Sequence, residues 1–188
     1  MMLISEPNAV FSLTAGITGC SADKSIKTYG EAQNFFAAVD LKLDLSTIMY
    51  EVYRTINTES GSKPDLMWGL TVLYPITVNN EFNMTRGHFH QDDTKSEVYY
   101  GVEGEGLLLL MDKKGTTWAE KVFPGSVHLI DGQHGHRLVN TSGNQALKVI
   151  ACWSKHAGYD YQYVEEHPFG FRIFAGIDGL DIRRNVVL

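Results

Sequence analysis

His88 and His90 stand two apart in MTRGHFHQDDTKSEVYYGVEG (residues 84–104). That spacing puts both imidazoles on one face of an extended strand. Glu97 follows after six residues, and His136 in GQHGHRLVN offers a third imidazole. Three imidazoles and one carboxylate form a donor set suited to a divalent first-row transition metal. A lone histidine is more often a packed or surface side chain than a ligand, so the inference rests on the whole set. His128 and His134 compete with His136, and His134 could share its face; His156 and His167 have no spacing to support them. The expected cofactor is one divalent ion per subunit, Fe2+ first, with Mn2+, Zn2+ or Ni2+ as alternatives. Raw affinity would favour copper or zinc, so availability decides the ion in the cell.

Positioning four such side chains calls for a container of strands. Ser46–Ile56 and Leu66–Val78 are rich in β-branched and aromatic residues, which suit a pleated surface. A polar TESGSKPD turn separates them, and Pro75 marks an edge, a bulge or a strand end. Beyond Glu97, short candidate strands follow at 97–102, 107–111, 116–122, 127–130, 136–140 and 146–153. Asp112-Lys113-Lys114-Gly115 and Pro124-Gly125 supply turns between them. Many short strands with Gly and Pro turns predict an all-β sandwich or closed barrel. Thr28 and Glu31 fit a capping box, and Ala32, Phe35, Phe36 and Val39 follow at helical spacing. A short helix to about Val39 is expected, its aromatic face inward. Residues 1–27 read as an irregular arm with one short strand, and the tail offers FGFRIF and NVVL as strand candidates.

Charge and composition exclude several classes of function. The net charge of −6 comes without a Lys/Arg cluster, so the electrostatic footprint of nucleic-acid binding is missing. A local pocket can still oppose the global sign and take a small anion. Cys20 and Cys152 lie far apart in no motif and read as two buried thiols of a cytosolic protein. MMLISEPNAV has no basic n-region, and no apolar run is long enough to span a membrane. The expectation is a soluble, cytoplasmic protein with neither membrane nor nucleic-acid partners.

Written out, the spacing is H-x-H-x6-E-x6-G (His88, His90, Glu97, Gly104), then G-x10-H-x3-N (Gly125, His136, Asn140). It resembles the two-part cupin signature, and the match favours His136 over its competitors. The resemblance implies a double-stranded β-helix, a jelly-roll barrel, with an N-terminal arm, a short helix and a C-terminal extension. One cupin domain over 1–188 is expected, with its barrel core at about 46–161. Three turn positions depart from the signature, which usually has Gly, Pro and Gly where this chain has Phe82, Asp131 and Gln133.

A cupin fold alone does not settle function. TVLYP (71–75), T-x-GHFH (85–90), EVYYGVEGEG, Pro124-Gly125, HR-x-VN (136–140) and AGYDY (157–161) are similar to the cupin-type, or archaeal-type, glucose-6-phosphate isomerases. That resemblance implies interconversion of glucose 6-phosphate and fructose 6-phosphate, a step of glycolysis and gluconeogenesis. It implies His88, His90, Glu97 and His136 as metal ligands. It implies Thr71, Thr85, Gly87 and Tyr161 as the phosphate site, and a homodimer that buries the spare sheet face. Hydroxyls and backbone N–H groups can hold a phosphate without a P-loop. Arg86 is a nearby cation expected to point out of the barrel.

Glu97 is the one acidic residue that the motif places at the metal, so it would be the base if a proton moves between C2 and C1. A direct hydride shift is the other route, and it gains if metal binding weakens Glu97 as a base. Tyr99, two residues on, can reach the pocket or pack in the barrel; Tyr53 stands in the same position. The family reads His where this chain has Tyr159, and Tyr where it has Trp153. A phenol does not titrate near pH 7 as imidazole does; His156 is the nearest imidazole that could take over. Two other readings remain open. A non-haem iron dioxygenase would use the same ligands without the threonine phosphate grip. A non-catalytic cupin would bind a sugar phosphate without turnover.

Overall fold

The computed structural model describes residues 7, 9–12, 16–19, 22–55 and 65–185. The polar turn over 58–64, Cys20 and the last three residues of NVVL lie outside them. The strands are β1 (Ala9–Ser12), β2 (Gly16–Gly19) and β3 (Ala22–Thr28), followed by α1 (Tyr29–Ala32). Then come β4 (Ile48–Thr55), β5 (Leu66–Leu73), β6 (Thr77–Val78), β7 (Glu81–Phe82), β8 (Glu97–Glu103), β9 (Gly106–Met111) and β10 (Thr117–Val122). The chain continues through β11 (Val127–Ile130), β12 (Gly135–Asn140), β13 (Leu147–Ser154), α2 (Tyr161–Glu166), β14 (Phe171–Gly176) and β15 (Gly179–Arg184).

Two antiparallel sheets form the body of the barrel, as expected of an all-β jelly roll. One has six strands in the order β11-β8-β13-β5-β4-β3, the other three in the order β10-β9-β12. Leu73, Leu108, Leu110, Val122, Ile130, Leu138, Leu147 and Val149 fill the space between them. The run Leu107–Met111 alternates in facing. Leu108 and Leu110 enter this core, whereas Leu107, Leu109 and Met111 enter a second one outside the three-stranded sheet. Burial on both faces explains the uninterrupted apolar run.

That second core is closed by α1, the segment after it, and β14 with Phe169. The helix is shorter than its sequence pattern predicts. Glu31 accepts from the Thr28 backbone N–H at 2.9 Å, as a capping box requires. One α-turn then passes into a 3-10 turn, Gln33–Phe35, and Phe36 is extended. The backbone N–H of Ala37 donates to buried Glu81 at 2.7 Å, and that of Asp40 to Tyr29 Oη at 2.6 Å. These tertiary bonds draw the chain out of the helix and leave Val39 exposed. The arm exceeds its expectation as well: β1 and β2 pair, and β3 joins the six-stranded sheet.

Glu81 bonds Arg172 at 2.8 Å as well as Ala37, and so clips the post-helix segment to β14. Glu81→Ala would strand a part-buried guanidinium. Losing one partner of a buried pair costs ~3–5 kcal/mol, so the urea midpoint is expected to fall steeply. An unchanged midpoint would contradict this role.

Candidate metal centre and active site

His88 and His136 face each other as antiparallel bridge partners, with His88 N–H donating to the His136 carbonyl at 3.2 Å and the reverse bond at 3.0 Å. His90 lies two residues on, and Glu97 opens β8. The ligand atoms of these four side chains all lie within 4.8 Å of one another, a cluster that could hold a metal ion. His90, Glu97 and His136 are buried, while His88 is partly open to the pocket. The competitors point elsewhere. His128 bonds Glu120 at 2.6 Å and Ser126 at 3.0 Å, and His134 lies edge-on to Trp118.

The proton positions follow from the backbone. His90 Nδ1 lies 2.6 Å from the Lys95 carbonyl and His136 Nδ1 lies 3.3 Å from that of His134. A carbonyl only accepts, so each Nδ1 carries the proton and each Nε2 lone pair turns inward. There His90 Nε2 meets Glu97 Oε2 at 3.1 Å and His136 Nε2 lies 3.3 Å from the same oxygen. Among the described residues, neither His88 Nε2 nor His136 Nε2 has a hydrogen-bond partner. Lone pairs converging on a carboxylate repel unless a cation or proton sits among them. Carbonyls that fix the outer nitrogens are the usual support of histidine ligands. The residues therefore fit a divalent ion.

The charges agree. Burial pushes the Glu97 carboxyl up, but the adjoining His136 and His90 rings outweigh it and hold it at about 2. Burial, reinforced by His136, keeps His88 well below its ordinary value and hence neutral. For His90, burial works downward, yet the neighbouring Glu97 carboxylate and Lys95 carbonyl leave a net upward shift.

A cavity of about 300 Å³ opens onto this cluster. His88, Glu97, Tyr99 and His136 line it, and so do Thr71, Thr85, Gly87 and Tyr161. All four expected phosphate residues thus share one cavity with three members of the metal cluster. Thr85 Oγ1 accepts from the Leu138 N–H at 3.0 Å, which leaves its own proton to donate. Gly87 has φ +75°, and a Cβ there would lie 2.9 Å from Arg137 Nε and 3.0 Å from the Phe169 ring. Both conformation and space call for glycine. Arg137 supports this turn from below, donating to the Arg86 carbonyl and to Met84 Sδ.

The tyrosines resolve by strand parity. Tyr99 faces the cavity, and burial raises its pKa well above the ordinary value, so it is a neutral O–H donor. Tyr53 points to the opposite face, where it donates to Glu51 at 2.8 Å. Tyr50 takes the inward place instead, pushed by burial to about 12. Tyr159 reaches the pocket, stacked on Tyr161 at 5.7 Å and edge-on to His88 at 4.8 Å. His156 does not take over there, because it turns to Asp65 at 3.5 Å, outside the cavity. Arg86 lies over the Tyr161 ring at 4.1 Å and pairs with Glu165 at 2.6 Å, which places it at the pocket rim. Trp153 lines the pocket beside Tyr159, and Arg54, which was not expected from the sequence, lines it too.

A family model described as glucose-6-phosphate isomerase (GPI) matches residues 28–179. A glucose-6-phosphate isomerase of Thermococcus kodakarensis is 34% identical over 151 residues, covering 79% of this chain and 78% of that one. Those of Thermococcus litoralis and Pyrococcus horikoshii are 31% and 32% identical, each over 79% of both chains. The chain belongs to the glucose-6-phosphate isomerase family. Among solved structures, an oxalate decarboxylase from Bacillus subtilis overlaps 58% of this chain and 26% of its own, at 18% identity and a TM-score of 0.46. The matched family segment spans β4 to β14, and with them every residue of the pocket wall except Ser25, Ile26 and Lys27. Tyr159 and Trp153 both stand on the wall of this pocket.

Proposed function

We propose that this chain is a metal-dependent isomerase that interconverts glucose 6-phosphate and fructose 6-phosphate, in glycolysis or gluconeogenesis. The observation that carries the reading is one cavity lined by the Thr71–Thr85–Gly87–Tyr161 group together with His88, Glu97 and His136 of the three-histidine, one-carboxylate cluster. His88, His90, Glu97 and His136 would hold one divalent ion, Fe2+ first among Fe2+, Mn2+, Zn2+ and Ni2+. When bound, the ion supplies positive charge that polarises neighbouring sugar oxygens.

The protein groups divide the remaining work. Thr71, Thr85, the Gly87 N–H and Tyr161 hold the phosphate and so fix the distance of C1 and C2 from Glu97. Tyr99, a buried neutral phenol, donates to a sugar oxygen and helps to exclude water. Glu97 is ionised and is the carboxylate able to take a proton from C2 and return it at C1. Its low pKa makes it a weak base, and in a hydride shift it would serve only to orient. Solvent deuterium enters the product in the first route and is absent in the second.

The reading extends to one cupin domain over 1–188 and a cytoplasmic homodimer. Val98 and Tyr100 on β8 pair with Leu129 and Val127 on the edge strand β11, and all four are exposed on the outer face of the six-stranded sheet. A second copy of the chain covering this apolar patch is the arrangement proposed. Among the described residues no helix is long and apolar enough to cross a membrane.

A coupled assay on fructose 6-phosphate tests the function. Turnover is expected with one or more of the four metals and should vanish with a chelator. No turnover with any of them would end the isomerase reading. Oxygen uptake would favour a dioxygenase, and sugar-phosphate binding without turnover would favour a binding protein.

A further inference from the structure

Four residues in line across the six-stranded sheet shape the pocket floor. Arg54 pairs with Gly69, Gly69 with Ala151, and Ala151 with Tyr99. All four line the pocket. The middle two carry no more than a methyl group, so a guanidinium and a phenol bracket an open floor. Gly69 is fixed by close approach: a Cβ there would lie 2.6 Å from the Tyr53 carbonyl oxygen and 3.0 Å from the Trp153 ring.

The pocket's cations differ in how they are partnered. Lys27 pairs with Glu31 at 3.4 Å, and Arg86 with Glu165 at 2.6 Å. Arg54 makes no ion pair among the described residues; Asp23 is its register neighbour on β3 and does not bridge to it. A partly buried guanidinium facing a cavity without a counter-ion is a place for an anion. Its position suits one end of the sugar phosphate. Val52 pairs with Thr71, which makes Arg54 the diagonal neighbour of Thr71 on the same face. Such neighbours lie roughly 7–8 Å apart, within reach of a long side chain. The Arg54 charge also acts on the hydroxyls of Tyr159 and Tyr161, where it opposes the effect of their burial.

We propose that Arg54 binds the phosphate dianion of the substrate from the strand side, supplying the positive charge that Thr71, Thr85, Gly87 and Tyr161 lack. This rests on the isomerase reading for its substrate. Guanidinium meets phosphate in a bidentate fork, which fixes the orientation of the phosphate as well as its affinity.

The test compares the wild-type metal-loaded protein with Arg54→Gln and Arg54→Lys. The probes are fructose 6-phosphate for turnover, and inorganic phosphate and sorbitol 6-phosphate for binding by calorimetry. Loss of one charge-assisted contact predicts a KM about 10- to 100-fold higher in Arg54→Gln. A similar loss is expected for both binding probes, with kcat falling less than about threefold. Arg54→Lys should recover part of the affinity, and both variants should keep the wild-type metal content and melting temperature. Unchanged KM and phosphate affinity, or a loss confined to kcat, would overturn the assignment. Phosphate binding lost in Arg54→Gln, in a protein that turns over no fructose 6-phosphate, would keep Arg54 as the anion ligand and end the isomerase reading alone. No phosphate binding by the wild-type chain would overturn this proposal.

Discussion

His88→Ala is expected to strip the protein of its metal and its turnover while leaving the metal-free fold nearly as stable as before. The His88 Nε2 atom makes no hydrogen bond among the described residues, so removing it leaves no partner there unsatisfied. Burial and the neighbouring His136 keep the imidazole neutral, the form that binds a metal. Changes one shell further out already cost ~10–100-fold in metal affinity, so losing a ligand should cost at least ~100-fold. A second readout separates binding from folding. A ligand that binds only the native state adds ~2.7 kcal/mol at one hundred times its Kd. Wild-type protein should therefore melt higher with metal, and His88→Ala should not. Full metal content in the variant would remove His88 from the ligand set.

Glu97→Gln is expected to have the other large effect. The substitution keeps the shape of the side chain and removes its charge. Glu97 sits between His90 and His136, with an oxygen 3.1 and 3.3 Å from their Nε2 atoms. Without the carboxylate the ion loses its one anionic ligand, and the substrate loses the base or orienting group beside C2. Positioned acid–base groups contribute ~10²–10⁴-fold, so turnover should fall by at least ~10²-fold even at saturating metal. The amide cannot balance a divalent charge, so affinity for the ion should fall in parallel. Near-normal turnover in a metal-loaded variant would take Glu97 out of the chemistry.

The metal cluster was legible because ligand chemistry restricts both residue type and spacing. HxH on extended chain, Glu at a strand start and a distant His leave few other uses. The phosphate group was less legible. Thr71, Thr85, Gly87 and Tyr161 come from four places and are ordinary residues in isolation; family resemblance brought them together, and all four line one cavity. Gly87 alone carried a local reason, its left-handed φ above a packed arginine.

The misses have a common cause in parity and tertiary contact. Tyr53 and Tyr50 differ in facing because side chains alternate along β4, and sequence does not give the phase. The same phase hides Arg54, which becomes a pocket residue only once its register with Gly69 is known. The helix after Thr28 stops early because Glu81, far along the chain, captures the Ala37 N–H. The strand β15 reads poorly because most of its side chains are exposed on a sheet edge, where no apolar alternation is demanded.

The central claim is that one ion, held by His88, His90, Glu97 and His136, makes this pocket an isomerase. Stepwise addition of Fe2+ or Mn2+ to metal-free protein, without oxygen, tests it most directly when bound metal and fructose 6-phosphate turnover are measured at every step. Turnover should rise in proportion to bound ion and level off at one ion per chain. Turnover that ignores the bound ion, or stays at zero when the site is full, would contradict the account.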